Sequence, residues 1–389
     1  MATPRKSCRL FNTMYTLNFD TADFTREYWQ KKPIVIKNAF NDFEDPISAD
    51  ELAGLAMEED ISSRIVQTQA QGWNVVQGPF EDYDEYGEDG WQLLVQAVNH
   101  WYPESQPLVE AFRFLPDWRF DDLMVSFATP KGGVGPHIDN YDVFIIQGEG
   151  KRRWQVGNTG NHQQRGGDKN SPLVDDFEPI IDVVLTKGDV LYIPPGYPHC
   201  GETLTLALSY SIGFRAPSQQ ELLTEMADSL IDNNLGKQRF TSTEEVANKG
   251  FVSEQQQQGM MNLLTQLAQD PNQYQTMLGK LLSQNRFELD LNPFEQPISA
   301  NDVTEAIEDG ASIQRIGGLK VLKLEADKQA QLYINGEVVT VAGIDADIVA
   351  IIANEHFIDQ DSLLKWSQQP ALVKLVAQLI NQGWFYFSE

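Results

Sequence analysis

The segment Gly132-Gly-Val-Gly-Pro-His-Ile-Asp-Asn-Tyr-Asp-Val-Phe144 runs from a glycine-rich turn into a strand-like pattern that carries a His-x-Asp pair. Side chains alternate across a strand, so His137, Asp139 and Tyr141 are expected on one face and Ile138 and Asn140 on the other. A second histidine closes Leu185-Thr-Lys-Gly-Asp-Val-Leu-Tyr-Ile-Pro-Pro-Gly-Tyr-Pro-His199. There Lys-Gly-Asp predicts a tight turn, a strand follows, and a Pro-Gly-Tyr-Pro bend presents the ring. His137, Asp139 and His199 would occupy one triangular face of a metal ion and leave the opposite face open. That donor set suits non-haem Fe(II), whereas a closed structural zinc site wants four ligands. The glycines at 132–135 are not a dinucleotide-binding loop, because a strand rather than a helix follows them.

Around this segment, from Asp121 to about Arg215, the chain reads as strands separated by Gly and Pro turns, at 123–127, 143–146, 153–156, 190–193 and 206–212. That spacing predicts a β-sandwich or barrel, and the turn, strand and Pro-framed histidine follow the way cupin barrels close a metal site. On the N-terminal side, 15–19 reads as a strand and Asp20 as the cap of a helix with Phe24, Tyr28 and Trp29. Residues 34–36 predict a buried strand, and Ser48-x-x-Glu51 a capping box. Residues 91–101 read as a helix with Leu94, Ala97, Val98 and Trp101 on one stripe. After Ala216-Pro217 the pattern turns helical, with capping boxes at Ser218-x-x-Glu221 and Ser253-x-x-Gln256 and a third run through Tyr274, Met277, Leu278, Leu281 and Leu282. The long apolar stripes predict a helix-to-helix homodimer, although packing within the chain explains them nearly as well. Beyond Asn292-Pro293 the order is helix, hairpin, helices, with Asn335-Gly336 as a type I′ turn, which fits a small winged-helix-like domain.

Length and composition bound the function. At about 150 residues per domain, 389 residues predict two or three domains with full hydrophobic cores. Acidic residues number 56 against 29 basic, a net charge of −27, which opposes direct nucleic-acid or anionic-lipid binding and favours basic protein partners. No apolar run approaches the roughly 18 residues of a membrane span. The basic N-terminus lacks the apolar stretch of a secretory signal, and Met14 precedes the first regular pattern, so 1–14 read as a flexible extension. Two cysteines, Cys8 and Cys200, supply neither a disulfide framework nor a Cys-rich zinc site, which points to the cytoplasm. Cys200 adjoins His199 and is expected to point away from it. His100, His162 and His356 are read as structural.

A further element tests the iron reading. In Lys151-Arg-Arg-Trp-Gln-Val156, residues Arg152, Trp154 and Val156 share one strand face. If 2-oxoglutarate chelates the iron through its keto-acid end, a fixed cation deep in the barrel must neutralise its distal carboxylate, and the guanidinium fork of Arg152 suits that task. The competing reading makes 151–153 a solvated charge run.

The combination of His137-Ile-Asp139, Gly150-Lys-Arg152-Arg-Trp154, Ile193-Pro-Pro-Gly-Tyr-Pro-His199 and Ser209-Tyr-Ser-Ile-Gly-Phe-Arg-Ala-Pro217 resembles the Jumonji-C family of Fe(II)- and 2-oxoglutarate-dependent oxygenases, and within it the bacterial ribosomal oxygenases. The segments at 28–36, 45–57 and 93–101 match as well, so the likeness covers nearly everything after Met14. The resemblance implies an α+β chain: a double-stranded β-helix of the cupin, jelly-roll kind at 1–215, a helical dimerisation domain at 216–290 and a winged-helix-like domain at 291–389. It also implies 3-hydroxylation of one arginine in the sixteenth large-subunit ribosomal protein, with O2 as co-reactant and succinate as co-product. Read from the residues, Asp122, Met124 and Ser126 share a strand face. Asp122 with Tyr141 would cradle a guanidinium, against the alternative of a solvated strand-end carboxylate. Ser209 either helps to hold the cosubstrate carboxylate or bonds to backbone. Three rival readings stand beside this one: a cupin-type metalloenzyme acting on a small molecule without 2-oxoglutarate, a histidyl rather than arginyl hydroxylase, and a non-catalytic dimeric binding module.

Overall fold

The run Val143-Phe-Ile-Ile146 has no polar face, and the computed structural model buries it on both sides at the centre of a sheet. The structure describes residues 15–69, 72–165, 173–245 and 248–388; the N-terminal extension and Cys8 lie outside them. In chain order the strands up to Phe214 are β1 (Ile34–Ile36), β2 (Ser63–Gln69), β3 (Gly72–Gln77), β4 (Trp91–Val95), β5 (Phe120–Ala128) and β6 (His137–Ile138), followed by β7 (Asp142–Gln147), β8 (Arg152–Gly157), β9 (Pro179–Leu185), β10 (Val190–Ile193), β11 (Pro198–Thr203) and β12 (Ala207–Phe214). They form an eight-stranded sheet, β1-β10-β7-β12-β5-β4-β2-β3, and a four-stranded sheet, β6-β11-β8-β9. The pairings are antiparallel, and the crossed order is that of the expected double-stranded β-helix.

Alternation on the large sheet sorts two cores. Phe144, Ile146, Tyr192, Tyr210, Ile212 and Phe214 face outward onto Phe24, Phe112 and the other residues that cover the sheet. Phe112 and Phe144 approach to 4.9 Å between ring centroids, and a fully buried ring of this kind contributes about 2–3 kcal/mol. Val143, Ile145, Leu191 and Ile193 face inward, where they meet Trp154, Val156 and Leu185 of the small sheet. The inner face of the large sheet becomes polar toward β5 and β12, and that change of character makes room for a site.

By compactness one unit is built from the chain up to Ala216, Asn285–Leu319 and the residues from His356 onward. Besides the two sheets it holds a three-stranded sheet of Ser312–Arg315, Phe357–Ile358 and Phe385–Ser388 with helices Ala300–Glu308, Gln360–Trp366 and Pro370–Asn381. The second unit, Pro217–Gln284 with Lys320–Glu355, holds helices Gln219–Asp232, Glu254–Ala268, Pro271–Ser283 and Ala346–Asn354. It also holds a hairpin whose turn residues Asn335 and Gly336 have φ of 47° and 79°, as a type I′ turn requires. The capping boxes at Ser48, Ser218 and Ser253 all form. Among the described residues, no helix is long and apolar enough to cross a membrane.

Three local expectations are corrected. Residues 91–101 are not one helix: β4 lies between β2 and β5, and a four-residue helix, Val98–Trp101, follows. Every residue of β4 is buried, so the run is apolar without alternation and imitates a helical stripe. The 15–19 segment makes only an isolated bridge, Leu17 to Phe40. The helix capped by Asp20 spans Thr21–Glu27 and ends before Tyr28 and Trp29.

Candidate metal centre

β6 is short, and the strand predicted through Tyr141 stops at Ile138. Asp139 lies just beyond it, where its backbone carbonyl accepts from the N–H of Gly196 in the Pro-Gly bend at 2.9 Å. That contact joins the segment carrying the carboxylate to the one carrying the second histidine. His137 and His199 are cross-strand partners of β6 and β11, with ring centroids 4.2 Å apart. The Nδ1 of His137 lies 2.9 Å from the carbonyl of Gly135, and that of His199 lies 3.1 Å from the carbonyl of Tyr197. A carbonyl only accepts, so both Nδ1 atoms carry hydrogen and both Nε2 lone pairs point elsewhere. They point at Asp139, whose Oδ2 is 3.9 Å from Nε2 of His137 and 3.6 Å from Nε2 of His199. Two ligands each about 2.1 Å from one ion stand at most about 4.2 Å apart, so the set fits a single cation. His137, Asp139 and His199 are the one such group among the described residues. Burial, followed by the neighbouring His137, pushes His199 down to about 4, which keeps the ring neutral and free to donate its lone pair.

Deeper in the barrel, Arg152 is 2 % exposed. Its Nη1 donates to Ser209 Oγ at 3.0 Å and its Nη2 to Gln92 Oε1 at 2.9 Å, while Nε is buried without a partner. The guanidinium lies 4.9 Å from the Trp154 ring centroid. No carboxylate pairs with it among the described residues, and burial holds its pKa down at about 10. Unpaired buried charge is costly, and an anion placed against the guanidinium would offset that cost. The solvated-charge-run reading therefore fails for Arg152, although Arg153 does pair at the surface with Asp182. Ser209 also shares a 2.9 Å hydrogen bond with Ser126, so its hydroxyl engages side chains and not backbone. Gln92, and the contact that Ser126 makes here, escape the sequence reading. A lone glutamine in the apolar run of β4 was the available signal for the first.

Two of the three predicted substrate residues, Asp122 and Tyr141, flank Gly213. An ideal Cβ placed there would lie 3.7 Å from Asp122 Oδ1 and 3.8 Å from Tyr141 Cδ2. Asp122 is 6 % exposed and accepts from the backbone N–H of Ala97 at 3.0 Å, so it is not a solvated strand-end group. Met124 pairs across the ladder with Ser211 and is half-buried. Cys200 lies on the opposite face of β11 from His199, as alternation requires.

Likeness to known proteins points the same way as this geometry. The JmjC domain model matches residues 107–222, and the ROXA-like winged helix model matches 266–386. The chain is 42% identical over 375 residues, 96% of its length and 99% of the other's, to the ribosomal protein uL16 3-hydroxylase of Escherichia coli K12. It belongs to the JmjC ribosomal oxygenases. A probable ribosomal oxygenase of Haemophilus influenzae is 32% identical over 331 residues, 81% of this chain and 80% of the relative's. The solved structure of Escherichia coli YcfD superposes on the oxygenase with a TM-score of 0.91 at 41% identity, covering 97% of this chain and all of that one. Another YcfD structure, in complex with cobalt and 2-oxoglutarate, gives 0.88 over 96% and 100%.

Proposed function

We propose that this oxygenase is an Fe(II)- and 2-oxoglutarate-dependent hydroxylase acting at C3 of an arginine of the large-subunit ribosomal protein uL16. The observation that carries the reading is Arg152, a buried guanidinium left without a counter-ion beside three convergent metal-ligand side chains. A cupin enzyme working without 2-oxoglutarate has no use for such a group, and a non-catalytic module has none for either element.

His137, Asp139 and His199 would hold the iron, with the two Nδ1–H groups locking the tautomers and Asp139 supplying one negative charge. Bound iron supplies the activation of O2 that is coupled to decarboxylation of 2-oxoglutarate. Arg152 takes the distal carboxylate of the cosubstrate, with Ser209 and Gln92 fixing the plane of the fork. Val143, Ile145, Trp154, Val156 and Leu191 keep the cavity dry. Asp122, Met124 and Tyr141 receive the substrate side chain, and a carboxylate there favours a guanidinium over a neutral imidazole. Holding both partners in place converts an encounter into an oriented reaction.

The net charge of −27 favours a basic ribosomal protein as partner, and a bacterial ribosomal substrate puts the enzyme in the cytoplasm. The helical part around 216–290 is assigned to homodimerisation: Leu223, Ile231, Met261 and Leu264 are 60%, 75%, 55% and 48% exposed in the single chain. In this reading 1–215 performs catalysis and 291–389 forms the winged-helix-like part. Incubation with Fe(II), 2-oxoglutarate and an arginine-containing uL16 peptide should add one oxygen atom to the arginine and release succinate stoichiometrically. Oxygen placed on histidine, or succinate without peptide oxidation, would overturn the assignment. Sedimentation of the wild-type chain should give twice the monomer mass, and of an Ile231→Asp, Met261→Asp variant the monomer mass.

A further inference from the structure

One half-buried cation of the barrel has no part in the scheme above. Arg64 projects from β2 on the inner face, in register with Leu94, Ser126 and Ser209. Its Nη2 lies 3.9 Å from Met124 Sδ, and among the described residues no carboxylate forms an ion pair with it. What it does meet is Gln96. With that amide oriented to satisfy both neighbours, its oxygen accepts from Arg64 Nη1 at 3.0 Å and its nitrogen donates to Asp122 Oδ2 at 2.7 Å.

The same carboxylate oxygen receives the Ala97 N–H at 3.0 Å. Ala97 is buried with φ of 50°, in the left-handed region that costs a residue with a Cβ about 1–2 kcal/mol. The strained peptide aims its N–H at Asp122. Two donors, one of them braced by Arg64, thus fix Oδ2, and Oδ1 lies on the side of Gly213 and Tyr141. Asp121, the other acid on this strand end, is occupied by Arg286 at 2.6 Å. Burial, then Asp121, pushes the Asp122 carboxyl up to about 7, whereas the Ala97 N–H, Arg286 and Arg64 pull it down. Burial outweighs these neighbours in the unliganded fold, and a cationic side chain arriving at Oδ1 would tip the carboxyl toward its charged form.

We infer that Arg64, acting through Gln96, is a positioning residue that pins one oxygen of Asp122, leaving the other as an oriented acceptor that selects a cationic substrate side chain over a neutral isostere. The inference rests on the function proposed above and adds the source of its selectivity. Among the described residues no hydrogen bond or ion pair joins Arg64 to the metal ligands or to Arg152, Ser209 and Gln92, and it senses Asp139 only through its charge, so its loss should act mainly on substrate recognition.

The test uses the full-length enzyme with Fe(II) and two uL16-derived peptides, one with the target arginine and one with citrulline in its place. Wild-type enzyme should prefer arginine in kcat/KM by about 30-fold, the worth of a hydrogen bond to a charged group. Arg64→Met and Gln96→Leu should each raise KM for the arginine peptide about tenfold and shrink the preference to a few-fold, with KM for 2-oxoglutarate unchanged. Arg64→Lys, which keeps a donor toward Gln96, should recover part of the preference. A merely structural role would lower kcat/KM on both peptides in equal proportion, and that result, or an undiminished preference in both variants, overturns the inference. Wild-type enzyme that oxidises neither peptide overturns the proposed function and this inference with it.

Discussion

Replacing Arg152 with methionine should weaken cosubstrate binding strongly while leaving the stability of the unliganded protein almost unchanged. The buried guanidinium is held from its ordinary pKa down to about 10, which corresponds to about 3 kcal/mol of penalty carried by the charged form at neutral pH. The substitution removes that penalty and also two hydrogen bonds from a charged donor, to Ser209 and Gln92, worth about 1.5–2 kcal/mol each. The two effects nearly cancel, so the Arg152→Met variant should lie within about 1 kcal/mol of wild type, a shift of at most about 2 °C in melting temperature. Binding has no such compensation. Loss of a desolvated guanidinium–carboxylate pair costs about 3 kcal/mol, or about 100-fold in the KM for 2-oxoglutarate. Succinate formation across a cosubstrate titration reads the first quantity, and thermal unfolding without metal or cosubstrate reads the second. An unchanged KM would show that Arg152 does not meet the distal carboxylate, and a melting temperature several degrees lower would show that its charge is already compensated in the unliganded fold.

Other consequences can be checked as directly. His137→Ala and Asp139→Ala should each abolish succinate formation and metal uptake while the far-ultraviolet circular dichroism stays that of the wild type; turnover in either variant would refute the ligand assignment. Gly213→Ala should fold, since the new methyl meets its neighbours at 3.7 Å or more, but it places that methyl in contact with both Asp122 and Tyr141. A several-fold rise in peptide KM at constant 2-oxoglutarate KM is expected, and an unaltered peptide KM would place the substrate elsewhere. His356 titrates well below its ordinary value because it is buried, with Arg315 and Arg113 nearby, and Glu110 at 3.5 Å does not outweigh them. The folded protein thus binds fewer protons there than the unfolded chain. The stability this contributes is complete above about pH 6.5 and is lost as pH falls below it, by at most about 1.4 kcal/mol per pH unit. His356→Gln should flatten that acid-side slope in thermal melts, and a slope equal to wild type would discount the residue.

The sequence carried its information unevenly. The two histidines and the carboxylate were legible because turn chemistry surrounds them: Lys187-Gly188-Asp189 closes with Asp189 N–H on the Thr186 carbonyl at 2.9 Å, and the prolines frame His199. Strands whose two faces differ, such as β5 and β12, were legible from alternation. β4 was not, since a strand buried on both faces loses the period that distinguishes it from a helix. The polar lining was hidden for a different reason. Arg64, Gln92, Gln96 and Ser126 come from β2, β4, the residue after β4 and β5, and only the register of neighbouring strands sets them beside Asp122 and Arg152. No local pattern encodes that register. Arg152 itself sat in a basic triplet, of which Arg153 takes the opposite, exposed face of β8.

Because His137 and His199 are opposite residues on one rung of the ladder between β6 and β11, backbone pairing sets the span of the imidazoles before any cation arrives. Little reorganisation is then needed on loading. The reverse also holds: β6 is an outer strand two residues long, and a cation gripped from both sides of that rung would rivet the rim of the small sheet, making cofactor occupancy and local protection from solvent exchange a single cooperative event.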